Sequence, residues 1–213
     1  MSRARRRPTA ALVAAALALT LGAAGCGATA SGVTGPVSVA PSPTGAYRGL
    51  ALDPPQPRPP FTLTDTTGAS YDFSARTKGR PTFLFFGFTH CPDACPTTMA
   101  DLAAALRGVP EPIRREVRVV FVTTDPTRDT GPVLAAWLRH FDPDLPTRFV
   151  GLTGTQAQID AAQVSARVPV AEDGGRSHST ELLLYGADDY ARVVYLNGSS
   201  PEDIQHDLPA VVG

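Results

Sequence analysis

Residues 81–98, PTFLFFGFTHCPDACPTT, constrain this chain more than any other stretch. Phe83-Leu84-Phe85-Phe86 is apolar at every position and stops at Gly87. A segment apolar on both faces must be covered on both faces, which is the position of a central strand in a layered α/β sheet. A loop then carries Cys91 and Cys95 into a helical pattern beginning near Pro96. Both thiols therefore arrive at the carboxyl end of a central strand, where open α/β sheets place their chemistry.

Cys91 and Cys95 are separated by Pro92, Asp93 and Ala94. On a helical turn, an i, i+4 pair projects to one side. Such thiols can close a disulfide or clamp one metal ion. Pro96 in the first turn puts Cys95 just before the helix, where the positive end of the dipole favours thiolate. Soft thiolates select copper(I), zinc or iron–sulfur clusters. The spacing is one residue longer than the C-x-x-C redox motif. A closed zinc site takes four protein ligands, and an iron–sulfur cluster is no less demanding. This chain has three cysteines and four histidines in all. The plain alternative is a disulfide that staples a loop, common in exported proteins.

Export is what the amino terminus predicts. MSRARRR is cationic, and Ala10 to Leu21 is an apolar segment too short for a convincing membrane span. Ala23-Ala24-Gly25-Cys26 is similar to a bacterial lipobox, so residues 1–25 read as a lipoprotein signal peptide and Cys26 as the lipidated residue. A diacylglyceryl anchor would hold the protein at the extracytoplasmic face of the plasma membrane. Removing the four arginines of the signal takes the formal charge from −1 to −5. That acidity argues against a nucleic-acid partner. Residues 26–58 read as a proline-rich flexible linker ending in Asp53-Pro54-Pro55-Gln56-Pro57-Arg58.

The rest, 59–213, reads as one domain. Residues 61–64 and 70–73 alternate around Asp65-Thr66-Thr67-Gly68 and predict a hairpin. Helices are expected over 96–107, from Asp129 or Thr130 to about His140, from Thr155 to about Ala166, and after the Ser200 cap. Strands are expected at 117–122, 148–152, 180–185 and 192–196. Strands alternating with helices, then a hairpin and a last helix, give an α/β, thioredoxin-like fold. It has an N-terminal β-hairpin and a central mixed sheet flanked by helices. In that topology the loop before the penultimate strand, which holds His178, lies beside the cysteine loop. Gly174-Gly175 predicts that this loop is mobile and swings His178 inward when metal is present.

Other residues read more plainly. Met99 falls on the apolar stripe of its helix and belongs to the core. His90 reads as a loop or supporting residue, His140 as a helix-end cation, His206 as solvent-facing and Asp125 as a turn former. Asp93 either tunes the thiols or makes a turn.

The stretch Gly87 to Thr98 resembles the SCO/SenC family, whose Cys-Pro-Asp-x-Cys-Pro-Thr-Thr pattern is met in full. Three further blocks match: Phe121 to Thr130, Phe149 to Thr155, and His178-Ser179. The resemblance implies a thioredoxin-like fold, and a copper ion bound by Cys91, Cys95 and His178. It also implies a role in assembling the binuclear copper centre of cytochrome c oxidase. Partners would be the oxidase's copper-bearing subunit or another copper chaperone. The family usually has Asp directly before this histidine; here it is Ser177. The competing reading is a thiol–disulfide oxidoreductase in which Cys91 and Cys95 form the redox-active pair and His178 is dispensable.

Overall fold

The protein's computed structural model describes residues 46–212. Residues 1–45, which hold the expected signal peptide, Cys26 and most of the expected linker, lie outside the described residues. In chain order the elements are β1 (Leu50–Pro57), β2 (Thr62–Asp65), β3 (Ser70–Asp72), α1 (Phe73–Thr77), β4 (Thr82–Gly87), α2 (Ala94–Gly108) and α3 (Glu111–Glu116). There follow β5 (Arg118–Thr123), α4 (Gly131–Leu138), β6 (Val150–Thr153), α5 (Gln156–Ser165), β7 (Leu182–Tyr185), β8 (Tyr190–Tyr195) and α6 (Pro201–Asp207).

The strands form one mixed sheet in the order β1-β8-β7-β4-β5-β6-β2-β3. β4, β5 and β6 run parallel, and β7 is antiparallel to β4 on its other side. β4 is buried at every residue, as its unbroken apolar run requires. Alternation sends Phe83 and Phe85 to one face, against Met99, Leu102 and Leu106 of α2, Leu134 of α4 and Ile204 of α6. Leu84 and Phe86 go to the other, against Phe73, Tyr185 and Ile159 of α5. Each such aromatic or leucine contributes about 1.5–3 kcal/mol on burial. Helices on both faces of a mixed sheet give the thioredoxin-like architecture, with the β2–β3 hairpin at one edge. The serine and threonine caps also stand: Thr155 and Ser200 each close a full capping box.

The proline-rich end of the expected linker is not a linker. Residues 50–57 are strand β1, antiparallel to β8. Prolines that cannot donate to a ladder are tolerated because β1 is an edge strand, and its register shifts between Ala51 and Gln56. Arg58, the last residue of the expected linker, is only 8% exposed. Its guanidinium donates to Asp189 Oδ1, Thr77 Oγ1, Arg80 O and Gly186 O, and lies 5.0 Å from the Tyr185 ring centre. Just before β1, the buried Asp207 carboxylate accepts from the amides of Arg48 and Gly49 and from the Tyr195 hydroxyl. His206 Nδ1 is 2.8 Å from the same carboxylate, so its ring leans on Asp207 although partly exposed. α1 and α3 are too short to announce themselves by period.

Candidate metal centre

Three elements bring the site together. β4 ends at Gly87, and the chain turns through Phe88-Thr89-His90-Cys91, closed by the Cys91 amide donating to Phe88 O at 3.2 Å. α2 begins at Ala94, two residues earlier than the proline predicts, so Cys95 lies inside its first turn. Asp93 occupies the N-cap position and its carboxylate makes no capping bond. His178 precedes β7. One donor atom from each of Cys91, Cys95 and His178 lies within 4.8 Å of the others. His178 Nε2 is 3.3 Å from Cys95 Sγ, and the Cys95 amide is 3.4 Å from Cys91 Sγ. Both thiols are free.

The imidazole is aimed by its backbone. Nδ1–H donates to Ser179 O at 2.7 Å, which leaves Nε2 as the atom with a lone pair, facing the sulfurs. A main-chain carbonyl here does the orienting that a carboxylate hydrogen-bonded to the far ring nitrogen often does for metal-binding histidines, so Ser177 in place of the family's aspartate leaves the ring oriented. Phe85 and Phe88 meet the ring edge-on, at 6.2 and 5.4 Å between centres.

The loop does not have to swing. Glu172 and Ser177 pair as a short antiparallel bridge. Gly175 packs under the end of β5, where Thr124 Oγ1 donates to Gly175 O at 2.6 Å. His178 is therefore already at ligand distance, against the expectation from Gly174-Gly175. A glycine pair can mark a tight packing contact as readily as a hinge.

The electrostatic expectation for Cys95 is overturned. It is 0% exposed, and burial pushes its thiol well above the ordinary range, with Cys91 and Asp129 adding to the rise. Desolvation outweighs the helix dipole here. Cys95 therefore rests as a neutral thiol, and a bound cation is what would make it a thiolate. Burial also lowers the His178 pKa below its ordinary 6.5, opposed by the weaker effect of the Ser179 carbonyl. The ring stays neutral and ready to ligate.

A measurable consequence follows for the copper-free protein. As pH falls, the unfolded chain takes up the histidine proton before the folded chain does. Stability therefore drops as pH passes down through 6.5, and the drop continues until the folded ring also protonates. Denaturant midpoints from about pH 8 to about pH 5 should show wild type losing more stability than His178→Gln. Parallel curves would mean the ring is not held neutral.

The remaining residues fall outside the donor group. Met99 is fully buried in the core. His140 donates from Nδ1 to Trp137 O. Asp125 makes the turn before α4, accepting from the Arg128 and Asp129 amides, and pairs with Arg128. Asp129 does not cap α4; Thr130 holds that position, and the Asp129 side chain points inward. His90 sits on the turn, half exposed, with Nδ1 3.0 Å from Thr89 Oγ1.

These features define a class: a thioredoxin-like domain presenting two thiols and one imidazole at the carboxyl end of its central strand. Residues 51–213 match the SCO1/SenC family model. The chain belongs to the SCO1/SenC family. It is 35% identical over 147 residues to a Stutzerimonas stutzeri protein named for copper binding, across 66% of this chain and 70% of that one. The aligned stretch spans about two-thirds of the length of the first relatives matched. Among solved structures, Bradyrhizobium japonicum ScoI with copper bound is 31% identical, with a TM-score of 0.59 over 73% of this chain and 99% of that one. Arabidopsis thaliana ScoI with copper bound is 30% identical, with a TM-score of 0.60 over 70% and 92%.

Proposed function

We propose that this protein is a copper metallochaperone that holds one copper ion on Cys91, Cys95 and His178. It delivers the ion to the binuclear copper centre of cytochrome c oxidase. The observation that carries this is the donor triad, two sulfurs and an unprotonated Nε2 within 4.8 Å. A trigonal site with bonds of about 2.0–2.3 Å puts its donors about 3.7 Å apart. The triad matches that spacing with small adjustments. Soft sulfur donors suit copper(I), and the added imidazole suits copper(II) as well. Cys91 is partly exposed and Cys95 is buried, so an incoming ligand reaches the ion from the Cys91 side. Transfer then proceeds by ligand exchange with the oxidase's copper-bearing subunit, and loading by the same exchange with another copper chaperone. Lipidation of Cys26 would keep the domain at the outer face of the plasma membrane. Among the described residues no helix is long and apolar enough to cross a membrane.

The same asymmetry supports a second reading, a thiol–disulfide oxidoreductase. Cys91 would attack a target disulfide and form a mixed disulfide. Cys95 would then displace the target thiol, leaving a Cys91–Cys95 disulfide and a reduced target.

Copper titration of the reduced full chain separates the readings. One copper per chain is expected, with a thiolate-to-copper(II) absorption band. Cys91→Ala and Cys95→Ala should each remove the band and lower affinity by at least about 100-fold, beyond the roughly 10–100-fold that losing a group behind a ligand costs. His178→Ala should weaken binding and shift the band. Undiminished binding by the double cysteine variant would end the copper reading. Reduction of a model disulfide that survives His178→Ala but not either cysteine change would favour the second.

A further inference from the structure

Asp129 is a fully buried carboxylate that the donor triad does not use. It lies between the ends of β4 and β5. Its Oδ2 accepts from the Thr89 amide at 2.8 Å and from Thr123 Oγ1 at 2.7 Å, and its Oδ1 accepts from Thr89 Oγ1 at 2.6 Å. Thr123 Oγ1 itself accepts from the Asp125 amide, so its proton is committed to Asp129. Partners that all donate are the surroundings of an ionised carboxylate. His90 is beside it, with Nδ1 3.6 Å away and the ring half exposed, and the Cys95 thiol is near enough to feel its charge.

Thr89 is the second residue of the turn that ends at Cys91. That turn has one backbone bond of its own, from the Cys91 amide to Phe88 O. Cys95 is held by the packing of α2, and His178 by Thr124 and Ser179 O. Cys91 is the partly exposed member and lies on the turn ahead of α2 rather than within it. Thr89 donates two charge-assisted bonds to Asp129, which tie this turn to the residues that follow β5.

We propose that Asp129 is the positioning residue for Cys91, and that its fixed negative charge biases the site toward the more highly charged copper(II) over copper(I). The proposal rests on the copper reading above. Two thiolates and a neutral imidazole leave a copper(I) site at net −1 and a copper(II) site neutral. A buried carboxylate nearby repels the first and leaves the second untouched, and water does not screen it as at the surface. The same charge contributes to holding the Cys95 thiol in its neutral form.

The two roles separate in two conservative variants of the full chain. Asp129→Asn keeps an acceptor for the Thr89 amide and removes the charge. Thr89→Val removes the hydroxyl bond and keeps the charge. Affinities for copper(I) and copper(II) are measured by competition with chelators, at a pH well above the histidine range. In Asp129→Asn the copper(II)-to-copper(I) affinity ratio should fall about tenfold. In Thr89→Val it should stay within about twofold of wild type, while amide exchange at Cys91 in the copper-free chain speeds up about tenfold. An unchanged ratio in Asp129→Asn, or an equal shift in both variants, overturns the charge role. Unaltered Cys91 exchange in Thr89→Val overturns the positioning role. Refusal of copper by the wild-type chain would overturn the metal reading and the charge role with it. The exchange measurement in the copper-free chain would still decide the positioning role.

Discussion

Gly87→Ala is expected to cost the protein most of its copper affinity, although residue 87 donates no ligand atom. A methyl group there would meet Cys95 Sγ at 2.8 Å and the Phe85 ring at 2.9 Å, with Phe121 at 3.3 Å. All three neighbours are buried and have nowhere to retreat. Ordinary contact needs about 3.6 Å, so Sγ must move by about 0.8 Å. Metal–ligand distances tolerate about 0.2 Å. The sulfur can escape only by shifting α2 or by changing rotamer away from His178. Competition against a copper(I) chelator should show a loss of at least about tenfold, and denaturant unfolding a loss of about 1–3 kcal/mol from overpacking. Wild-type affinity in a folded Gly87→Ala protein would show that the sulfur position is not what limits binding.

Gly175→Ala should damage the same site from the opposite side, through the histidine. Gly175 has φ +90, and a Cβ there would lie 1.8 Å from the backbone oxygen of Thr124. No side-chain rotation relieves a clash with backbone at the end of a central strand. The backbone strain of a left-handed alanine adds about 1–3 kcal/mol. The 172–177 bridge must lift, and His178 leaves with it. The variant should bind copper as His178→Ala does, through two sulfurs, with the same altered absorption band. Adding His178→Ala to it should change nothing further. Gly174→Ala is the control: φ is +66, but nothing lies within 4 Å of the added methyl, so only the strain applies. A wild-type band in Gly175→Ala would mean that the histidine reaches the metal independently of its loop.

How much was legible in the sequence depended on whether the signal was local. Phe83 to Phe86 announced a strand buried on both faces because four consecutive apolar side chains leave no polar face. Thr155 and Ser200 announced helix starts because a capping box is complete within four residues. Residues 50–57 read as linker because three prolines outweigh any strand period, and only the edge position in the sheet makes them tolerable. Arg58 carried no signal at all. A buried arginine is intelligible only once Thr77, Arg80, Gly186 and Asp189 surround it. Asp129 was visible as a helix-cap residue, and its true partner, Thr89, lies 40 residues away. The mobile loop expected from Gly174-Gly175 failed for the same reason. A glycine needed for close approach looks identical, in sequence, to one needed for freedom.

By itself the sequence determined which atoms are available: two thiols four residues apart at the end of a buried strand, and a histidine before another strand. It also determined the layered α/β order, since hydrophobic period and caps are properties of neighbouring residues. Tertiary structure alone decided the state of those atoms. It buried Cys95 so that its thiol rests neutral, turned His178 Nε2 toward the sulfurs through one carbonyl, and placed a carboxylate behind Cys91. Such properties arise from desolvation and from contacts between distant segments, and both exist only after the chain has folded.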